Sequence, residues 1–345
     1  MSEKSLRVNM LSSSEKVAGQ GVSGAYRELL RLLKRDAQKE LDITENQFVQ
    51  ADITHYHTID PLFYLSTFFK KRVGRRVGYV HFLPETLEGS LKMPRLFQKV
   101  LGKYVTSFYN RMDHLVVVNP SFIDDLVAFG IARDKISYIP NFVNKEKWYP
   151  STLEKRQNTR KEFGITDADF VVLGAGQVQK RKGIDDFVTL AEKLPHITFI
   201  WAGGFSFGGI TDGYEHYKTI MENPPKNLIF TGIVEADKMR DLYAATDLFL
   251  LPSYNELFPM TILEAASCGA PIMLRDLELY KVILEGSYVA AKDVSDMNMM
   301  ISDLACDGTA LSKLKEKSRQ ISINYSEERL LQVWIDFYRN QVKVK

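Results

Sequence analysis

The sequence has little cysteine and no long apolar run. Its 345 residues contain only Cys268 and Cys306, too few for a disulfide framework or a zinc cluster, so a reducing compartment is the default expectation. No stretch approaches the roughly 18 apolar residues that span a bilayer, and residues 1–10 have no apolar core of signal-peptide length. We therefore expect a cytosolic protein rather than a secreted or membrane-spanning one.

The sequence also lacks an evident set of metal ligands. Asp167 and Asp169 form an Asp-x-Asp pair, but they precede a predicted strand in a turn, where aspartate favours local hydrogen bonds. His55 and His57 flank Tyr56 at a strand end with no third ligand in sight, so a loop role is favoured over a metal pair. No cofactor is expected: no metal is required, and Mg²⁺ would at most stimulate.

The composition is that of a soluble globular protein. Hydrophobic residues make up 45% of the chain and charged residues 26%, which excludes a mainly disordered chain, a collagen and a coiled coil. The length suggests two domains.

The net charge of +2 hides an asymmetry between the two halves. Residues 1–150 hold 22 basic and 16 acidic residues, whereas the remainder is net acidic. Within residues 61–111 there are ten basic residues and two acidic ones. Such a basic patch indicates an anionic partner for the first half, and no nucleic-acid reader motif is present.

Strands alternate with helices in both halves, which favours parallel sheets covered on both faces. The predicted strands are Leu6–Leu11, Asp52–Tyr56, Val77–His81, Leu115–Val118, Phe170–Gly174, Thr198–Ala202, Leu228–Thr231 and Leu248–Leu251. The predicted helices are Ala25–Lys39, Ile184–Lys193, Ala236–Ala245, Met260–Cys268 and Ser326–Arg339.

A proline-containing stretch between the halves, residues 140–151, predicts a linker. We therefore expect an α/β protein of two Rossmann-like, doubly wound domains facing a central cleft, over residues 1–150 and 151–325. The amphipathic helix in residues 326–345 is expected to cross back to the first domain.

The strongest functional signal is residues 252–265, PSYNELFPMTILEA. A buried strand ends at Pro252, and Pro259 suits the first position of a helix because its missing N–H would be unpaired there. The following amides of Met260 and Thr261 would point out of the helix N-terminus, a geometry that binds phosphate. Glu256 and Glu264 would repel phosphate, so they are more suited to accept hydrogen bonds from hydroxyls. A sugar nucleotide offers both groups; an ordinary capped helix with two solvated glutamates is the alternative.

The second signal is the stretch GAGQVQKRKG at residues 174–183. Lys180, Arg181 and Lys182 follow a strand that ends in glycine and precede a helix N-terminus, an arrangement that suits a diphosphate. A solvated basic loop is the alternative. Both signals lie at carboxyl ends of strands, where open α/β sheets bind ligands.

A third signal is the glycine-rich loop at residues 12–24. Gly19, Gly21 and Gly24 spell the dinucleotide-binding pattern, but Gly19 comes eight residues after Leu11, whereas a Rossmann loop begins directly at the strand end. We interpret the loop as backbone that closes over donor phosphate and acceptor, with Lys16 nearby; a plain surface loop is the alternative.

Residues 91–111 predict a basic amphipathic helix. Lys92, Arg95, Lys99 and Lys103 recur at helical spacing, with apolar residues between them on the other face. Such a helix lies at a membrane surface and is attracted by anionic lipid. FFKKRVGRR at residues 68–76 adds two phenylalanines and five cations. The alternative is a core-packed helix with a solvated basic face.

Several of these residues belong to recognisable motifs. Glu256 and Glu264 form an E-x7-E pattern behind a strand that ends in Pro-Ser. The other stretches are Pro140-Asn141-Phe142-Val143, Lys182-Gly183, Phe230–Val234 (FTGIV) and Ala265–Pro271 (AASCGAP). Together they resemble the retaining glycosyltransferases of family 4, whose fold is GT-B, and the resemblance covers most of the chain.

The resemblance implies roles for the matching positions. Glu264 would bind the ribose, Glu256 the donor sugar and Lys182 the diphosphate, while His81 would line the reaction centre; His81, Lys182 and Glu256 are thus the expected catalytic positions. The implied donor-binding positions are Arg181, Lys182, Val234, Glu256, Phe258, Met260, Thr261 and Glu264. Two departures stand out: Gln177 replaces the usual arginine unless Arg181 takes over, and Leu257-Phe258-Pro259 replaces Gly-Phe-Gly.

The chain is more similar still to bacterial glycosyl-diacylglycerol synthases, through residues 11–29, 79–92 and 203–230. This implies transfer of glucose or galactose from a UDP-sugar to monoglucosyl-diacylglycerol by a peripheral protein at the cytoplasmic face of the membrane, in contact with anionic lipids. The alternatives are a soluble polysaccharide or teichoic acid precursor as acceptor, an NAD-dependent oxidoreductase, and a non-catalytic sugar-nucleotide-binding protein.

Overall fold

The computed structural model shows two parallel sheets of six strands each, covered by helices. The structure describes residues 5–13, 21–81, 83, 95–205, 208 and 213–343, excepting the side chains of 21–23 and 95–97. The chain divides into two compact units. The first holds the described residues up to Phe142 and those from Tyr325 onward, and the second holds Val143–Asn324.

The first unit is an α/β layer structure. Its strands are β1 (Leu6–Leu11), β2 (Leu41–Glu45), β3 (Ile53–Tyr56), β4 (Arg75–Val80), β5 (His114–Val117) and β6 (Ile136–Tyr138). Its helices are α1 (Gly21–Asp36), α2 (Pro61–Ser66), α3 (Lys70–Val73), α4 (Arg95–Asn110), α5 (Phe122–Ala128) and, at the end of the chain, α14 (Glu327–Lys343).

The first sheet runs in the order β2-β1-β3-β4-β5-β6, and all its pairs are parallel. Every residue of β3 and β5 is buried, because helices cover both faces of the sheet, as the near-continuous apolar character of such strands requires.

Helix α14 packs against α1 and β3 of this same unit. Trp334 is fully buried, and its ring centroid lies 5.5 Å from those of His55 and Tyr79. Glu327, also buried, pairs with Arg31 and lies 2.8 Å from Nη2 of Arg35. The end of the chain is therefore held by both apolar burial and a charge-assisted contact.

The second unit has the same plan. Its strands are β7 (Val171–Ala175), β8 (Thr198–Ala202), β9 (Leu228–Gly232), β10 (Leu248–Leu251), β11 (Ile272–Arg275) and β12 (Val289–Ala291). Its helices are α6 (Leu153–Glu162), α7 (Ile184–Lys193), α8 (Tyr214–Glu222), α9 (Ala236–Ala245), α10 (Met260–Ser267), α11 (Glu278–Leu284), α12 (Val294–Cys306) and α13 (Gly308–Asn324). The order β12-β11-β10-β7-β8-β9 puts β7 and β10 side by side.

The predicted elements differ from the observed ones mainly where strands are short. The prediction missed four strands, namely β2, β6, β11 and β12. Strand β2 reads LDITE, with alternating polar residues at a sheet edge, and β6 and β12 have three residues each, too few for a clear hydrophobic pattern. Helix α1 begins at Gly21, ahead of the predicted Ala25, and none of the described helices is long and apolar enough to cross a bilayer.

Burial of Trp334 generates a stability prediction. Trp334→Ala should lower the free energy of unfolding by about 3–5 kcal/mol, because it opens a cavity among rings that cannot fully collapse. Val333→Ala, one residue away but 40% exposed, should change it by at most about 0.5 kcal/mol. Urea titrations followed by fluorescence and circular dichroism measure both; equal transition midpoints would contradict the role assigned to this helix.

Candidate active site

Two loops of the second unit meet at the carboxyl ends of neighbouring strands. One follows β7 and the other follows β10, and the amide of Tyr254 donates to the carbonyl of Arg181 at 2.9 Å. Gly183 closes the first loop with φ +73°, and a Cβ there would lie 2.4 Å from the carbonyl oxygen of Pro252. Only glycine permits this approach and this φ, so Gly183 is what allows the two loops to touch.

A buried ion pair joins the loops. Lys182 Nζ lies 2.6 Å from Glu256 Oε1, and the two side chains are 11% and 4% exposed. Burial alone would raise the pKa of Glu256, but the positive charges of Lys182 and Arg181 outweigh it and hold that pKa below its usual value. Burial lowers the pKa of Lys182, and Glu256 opposes the shift. Each charge thus favours the charged state of the other.

Arg181 adds a second cation to the same place. Its Nη1 donates to the carbonyl of Asn255 at 2.9 Å and lies 3.6 Å from Glu256 Oε2. Its Nε is buried and has no hydrogen-bond partner in the described part of the chain. The two cations and one carboxylate leave a net charge of +1, and a buried donor remains available, which suits an anionic ligand.

Of the other residues in this loop, Lys180 is exposed, as a solvated loop residue would be. Gln177, which stands where arginine is usual, accepts a 2.7 Å hydrogen bond from Gln179. Arg181 is the cation that the structure places beside Glu256; that it replaces the usual arginine stays a prediction.

The N-terminus of α10 faces the same sheet edge. The helix begins at Met260, and Pro259 is the residue that caps it, in extended conformation, so the prediction of Pro259 as the first helical residue is wrong by one position. Ile262 N donates to the carbonyl of Pro259 at 3.2 Å, whereas the first amides of a helix have no intrahelical partner. The hydroxyl of Thr261 is buried and has no partner among the described residues. The helix N-terminus therefore offers amide and hydroxyl donors.

Glu264 has a different environment from Glu256. The hydroxyl of Tyr243 lies 3.3 Å from Glu264 Oε2 and donates to it. Burial raises the pKa of Tyr243 well above its usual value, so this hydroxyl stays a donor. One carboxylate is thus held by cations and the other by a hydroxyl; that the two glutamates accept hydrogen bonds from a ligand's hydroxyls stays a prediction.

Three supporting residues were missed by the sequence analysis. Arg275, at the end of β11, donates through Nε to the carbonyl of Pro252 at 2.9 Å and pairs with Asp186 through Nη2. Its guanidinium carbon lies 4.2 Å from the centroid of the Tyr254 ring, whose hydroxyl donates to Asp186 at 2.7 Å. These contacts anchor the Glu256 loop. A polar residue at the end of a strand could have indicated Arg275, but strand β11 itself was not predicted.

The remaining donor-side predictions concern Val234 and Phe258. Val234 follows β9 and is partly exposed, and Phe258 is buried next to the α10 cap. Their contact with a donor stays a prediction.

His81 lies in the first unit, directly after β4, among buried rings. Its ring centroid is 4.4 Å from that of Tyr79 and 6.0 Å from that of His57. Nε2 of His81 and both ring nitrogens of His57 are buried without a hydrogen-bond partner in the part of the chain described here. Burial lowers the pKa of His81 to about 3 and that of His57 well below its usual value. Both rings are therefore neutral.

The loop role expected for His55 and His57 is wrong for His55. This residue is fully buried within β3, and its Nδ1 lies 2.7 Å from the hydroxyl of Tyr338. The described residues contain no group of three or more histidine, cysteine, aspartate or glutamate side chains placed to hold a metal.

The Asp-x-Asp pair serves the turn that contains it. Asp169 accepts from both the amide and the hydroxyl of Thr166, at 2.6 and 2.8 Å. These are the local hydrogen bonds that the turn position indicated.

Some predicted residues lie outside the described part of the chain, namely Lys16, Gly19 and Lys92, and Gly24 lies within α1 rather than in a loop. Gly21 begins α1, and Arg95 begins α4.

Helix α4 has the exposed basic face that its pattern predicts, since Lys99 and Lys103 are exposed. Val105 and Phe108 are buried on the opposite face. Val100, an apolar residue of the same helix, is 59% exposed, because it lies beside Lys103 around the helix. The helix is thus core-packed on one side and basic with an exposed valine on the other.

The sequence matches two family descriptions, "Glycosyl transferases group 1" over residues 155–321 and "Glycosyltransferase Family 4" over residues 19–147. With two Rossmann-like sheets and this loop pair, the chain belongs to these glycosyltransferases of the GT-B fold, and it is a sugar-transferring enzyme.

Among its curated relatives is an alpha-galactosylglucosyldiacylglycerol synthase of Streptococcus pneumoniae, 68% identical over 99% of this chain and 91% of the relative. A processive diacylglycerol alpha-glucosyltransferase of Acholeplasma laidlawii is 34% identical over 58% of this chain and 59% of the relative.

Solved structures share the fold. Anabaena HepE, in complex with UDP and glucose, superposes with a TM-score of 0.75 at 15% identity, covering 97% of this chain and 100% of that one. Sucrose-phosphate synthase from Thermosynechococcus elongatus superposes with a TM-score of 0.78 at 14% identity, covering 99% of this chain and 100% of that one.

The buried ion pair predicts strong energetic coupling. Lys182→Met and Glu256→Gln should each lower the free energy of unfolding by about 3–5 kcal/mol, because each leaves a buried charge without its partner. The loss of unfolding free energy in the double variant should be smaller than the sum of the losses in the two single variants, by about 0.5–3 kcal/mol. Urea unfolding measures the cycle. The exposed pair Lys218–Glu222, 3.9 Å apart, is the control and should couple by about 0.5 kcal/mol or less; equal coupling in both pairs would contradict the buried interaction.

The neutral histidines predict acid sensitivity. An unfolded histidine binds a proton below pH about 6.5, whereas His57 stays neutral in the fold, so stability is present above that pH and is lost as pH falls. His57→Leu should reduce this loss by up to about 1.4 kcal/mol per pH unit below 6.5. Unfolding free energies measured between pH 7.5 and 4.5 test it. The exposed His196→Gln should leave the slope unchanged, and an unchanged slope in His57→Leu would refute the buried neutral state.

Proposed function

We propose that this enzyme transfers a hexose from a UDP-sugar to monoglucosyl-diacylglycerol and so makes a dihexosyl-diacylglycerol. The pneumococcal relative, similar over nearly the whole chain, carries galactosylglucosyldiacylglycerol in its name, which favours galactose as the transferred sugar. The observation that carries the proposal is the buried Lys182–Glu256 pair, with Arg181 beside it and the α10 N-terminus next to it. Cations and amide donors suit the diphosphate of such a donor.

The site acts on the leaving group. When the bond between the hexose and UDP breaks, negative charge grows on the diphosphate, and Lys182 and Arg181 are already in place to stabilise it. Because they are held by Glu256 and by the carbonyl of Asn255, little reorganisation is needed. The donors of Met260 and Thr261 add to this stabilisation at the end of α10.

The two glutamates bind different parts of the donor. Glu256 accepts hydrogen bonds from hexose hydroxyls through Oε2, the oxygen atom that Lys182 leaves available, and Glu264 binds the ribose. His81 is a neutral hydrogen-bond partner for the donor rather than a base, since burial lowers its pKa to about 3. Attack from the same face as the departing UDP retains the anomeric configuration, without a stable covalent intermediate. No divalent metal takes part in these roles.

The acceptor puts the enzyme at a membrane surface, and we propose the cytoplasmic face, where UDP-sugars are available. Lys99 and Lys103 project from the exposed side of α4, and an anionic leaflet attracts such cations. The protein would then be peripheral, held by surface charge and apolar contact.

The proposal is tested by offering radiolabelled UDP-galactose and UDP-glucose separately with detergent-dispersed monoglucosyl-diacylglycerol. We expect labelled dihexosyl lipid from at least one donor. Lys182→Met should lower kcat by about 100-fold or more, because a pre-placed donor to the developing charge is lost. Lys180→Met, an exposed lysine in the same turn, is the matched control and should keep most activity.

If labelled product forms only with a water-soluble saccharide, the acceptor is that soluble saccharide and the proposed lipid acceptor is wrong. Wild-type turnover by a folded Lys182→Met would remove the diphosphate role of this lysine.

A further inference from the structure

One crossover of the first sheet has no helix. The order β2-β1-β3 requires the chain to pass over β1 between residues 46 and 52. Crossovers between parallel strands are usually helical, and a helix would cover the face of β1. Here a short loop crosses instead, and it leaves Phe48 and Val49 exposed by 49% and 37%.

The segment after β3 adds more exposed apolar side chains. Leu62 is exposed by 68% and Leu65 by 56%, both on the short helix α2. Phe68 and Phe69, between α2 and α3, are exposed by 57% and 65%. We call these four residues, with Phe48 and Val49, the apolar patch. Contiguous exposed apolar surface of this kind marks an interaction site.

The patch surrounds a pocket of about 270 Å³, near the lower end of the volumes that hold small ligands, about 300 Å³. Leu11 and Val73 close it from beneath, and Phe48, Leu62 and Phe69 are among its walls.

Two polar side chains at the pocket, those of Asn9 and Ser66, are already engaged within the protein. Asn9 donates to the carbonyl of Gln47 and accepts from Thr44 at 3.3 Å. The hydroxyl of Ser66 donates to the carbonyl of Phe63 at 2.7 Å and lies 2.9 Å from that of Tyr56. Apart from Gln47 and Arg72, the rest of the lining is hydrocarbon, so the pocket suits an alkyl chain better than a sugar or a nucleotide.

Cations border the apolar patch. Lys70, Lys71 and Arg72 are exposed on α3, and Arg72 also lines the pocket. The guanidinium of Arg111 lies 3.5 Å from the centroid of the Phe68 ring. Residues 61–84 contain no aspartate or glutamate. Apolar side chains next to these cations match the interface of an anionic bilayer, where hydrocarbon lies beneath negative headgroups.

The patch is continuous with the exposed face of α4. The hydroxyl of Tyr64, on α2, lies 2.8 Å from that of Ser107 on α4, and the rings of Tyr64 and Tyr104 are 5.5 Å apart. Val100, Lys99 and Lys103 are exposed on that helix. One side of the first unit thus combines two basic elements with exposed apolar groups.

We propose that the apolar patch enters the surface of an anionic lipid bilayer, that the pocket takes the end of one lipid acyl chain, and that Lys70, Lys71 and Arg72 contact the headgroups. The inference rests on the proposed function, because a lipid acceptor is what requires a bilayer contact. It goes further in assigning the apolar contact to α2, α3 and the β2–β3 crossover rather than to α4 alone.

Vesicle sedimentation tests the proposal with the full-length protein. Leu62→Gln/Phe69→Gln should weaken binding to phosphatidylcholine vesicles containing 30% phosphatidylglycerol, by about tenfold or more, since two large apolar contacts are lost. Leu153→Gln/Val282→Gln is the matched control: both residues are more than 60% exposed, on α6 and α11 of the second unit. It should bind as the wild type does. All four side chains are exposed, so thermal unfolding should be unchanged.

A second variant separates charge from insertion. Lys70→Ala/Lys71→Ala should reduce binding to the anionic vesicles at low salt, and the difference from wild type should shrink as salt screens the charges. In Phe69→Trp, vesicles with brominated acyl chains should quench the added fluorescence; in Leu153→Trp they should not. Wild-type vesicle binding by Leu62→Gln/Phe69→Gln, or no quenching of the Phe69→Trp fluorescence, would overturn the proposal.

Hexosyl transfer to detergent-dispersed acceptor distinguishes this failure from a failure of the proposed function. The wild-type protein should show that activity whether or not the patch enters a bilayer, because dispersed lipid needs no bilayer docking. If the protein transfers hexose but its vesicle binding does not depend on the patch, only this inference fails. If vesicle binding depends on the patch but no lipid is glycosylated, the proposed function fails. Loss of a dimer in Leu62→Gln/Phe69→Gln, with unchanged vesicle binding, would make the patch a protein interface and overturn the inference.

Discussion

The buried ion pair between Lys182 and Glu256 is the interaction on which the rest of the site depends. It joins two loops that come from different strands, and Gly183 is what lets these loops approach closely enough for the pair to form. A charge buried alone would be strongly unfavourable, so each residue makes the other possible. The pair explains how Lys182 and Arg181 are held in place beside a carboxylate, that of Glu256.

The loops that carry this pair are themselves held by a polar network. Arg275 reaches from a third strand to the carbonyl of Pro252 and to Asp186, and Tyr254 donates to the same aspartate. Such a network costs little when every member is satisfied. It keeps Glu256 and Arg181 in position, which is the condition for electrostatic stabilisation of a leaving group.

The first unit is covered unevenly on its two sides. Its core closes tightly where α14 covers the sheet with Trp334, whereas the helix-free crossover leaves Phe48 and a small apolar pocket open. The two sides of this unit therefore differ in how much hydrocarbon they expose, and the proposed bilayer contact uses the more exposed side.

Much of the fold could be predicted from the sequence because its long elements have strong patterns. The strand Thr198–Ala202 and the helix Ala236–Ala245 are observed with the predicted bounds, since apolar runs and helical spacing are local properties. Lys182 and Glu256 could be singled out for a similar reason, because both follow buried strands. The short strands β2 and β12 were missed, because three to five residues carry too little pattern.

What the sequence by itself determined is which residues follow each strand and which chemistry they bring: cations after one strand, carboxylates and a helix N-terminus after another. Only the tertiary structure decided which of them pair. Lys180 and Lys182 look alike in sequence, yet one is exposed and the other is buried against Glu256, 74 residues away. Likewise Val100 is exposed and Phe108 is buried on one helix. Burial and charge pairing depend on neighbours that are distant along the chain, and these are set by strand order and packing rather than by local pattern.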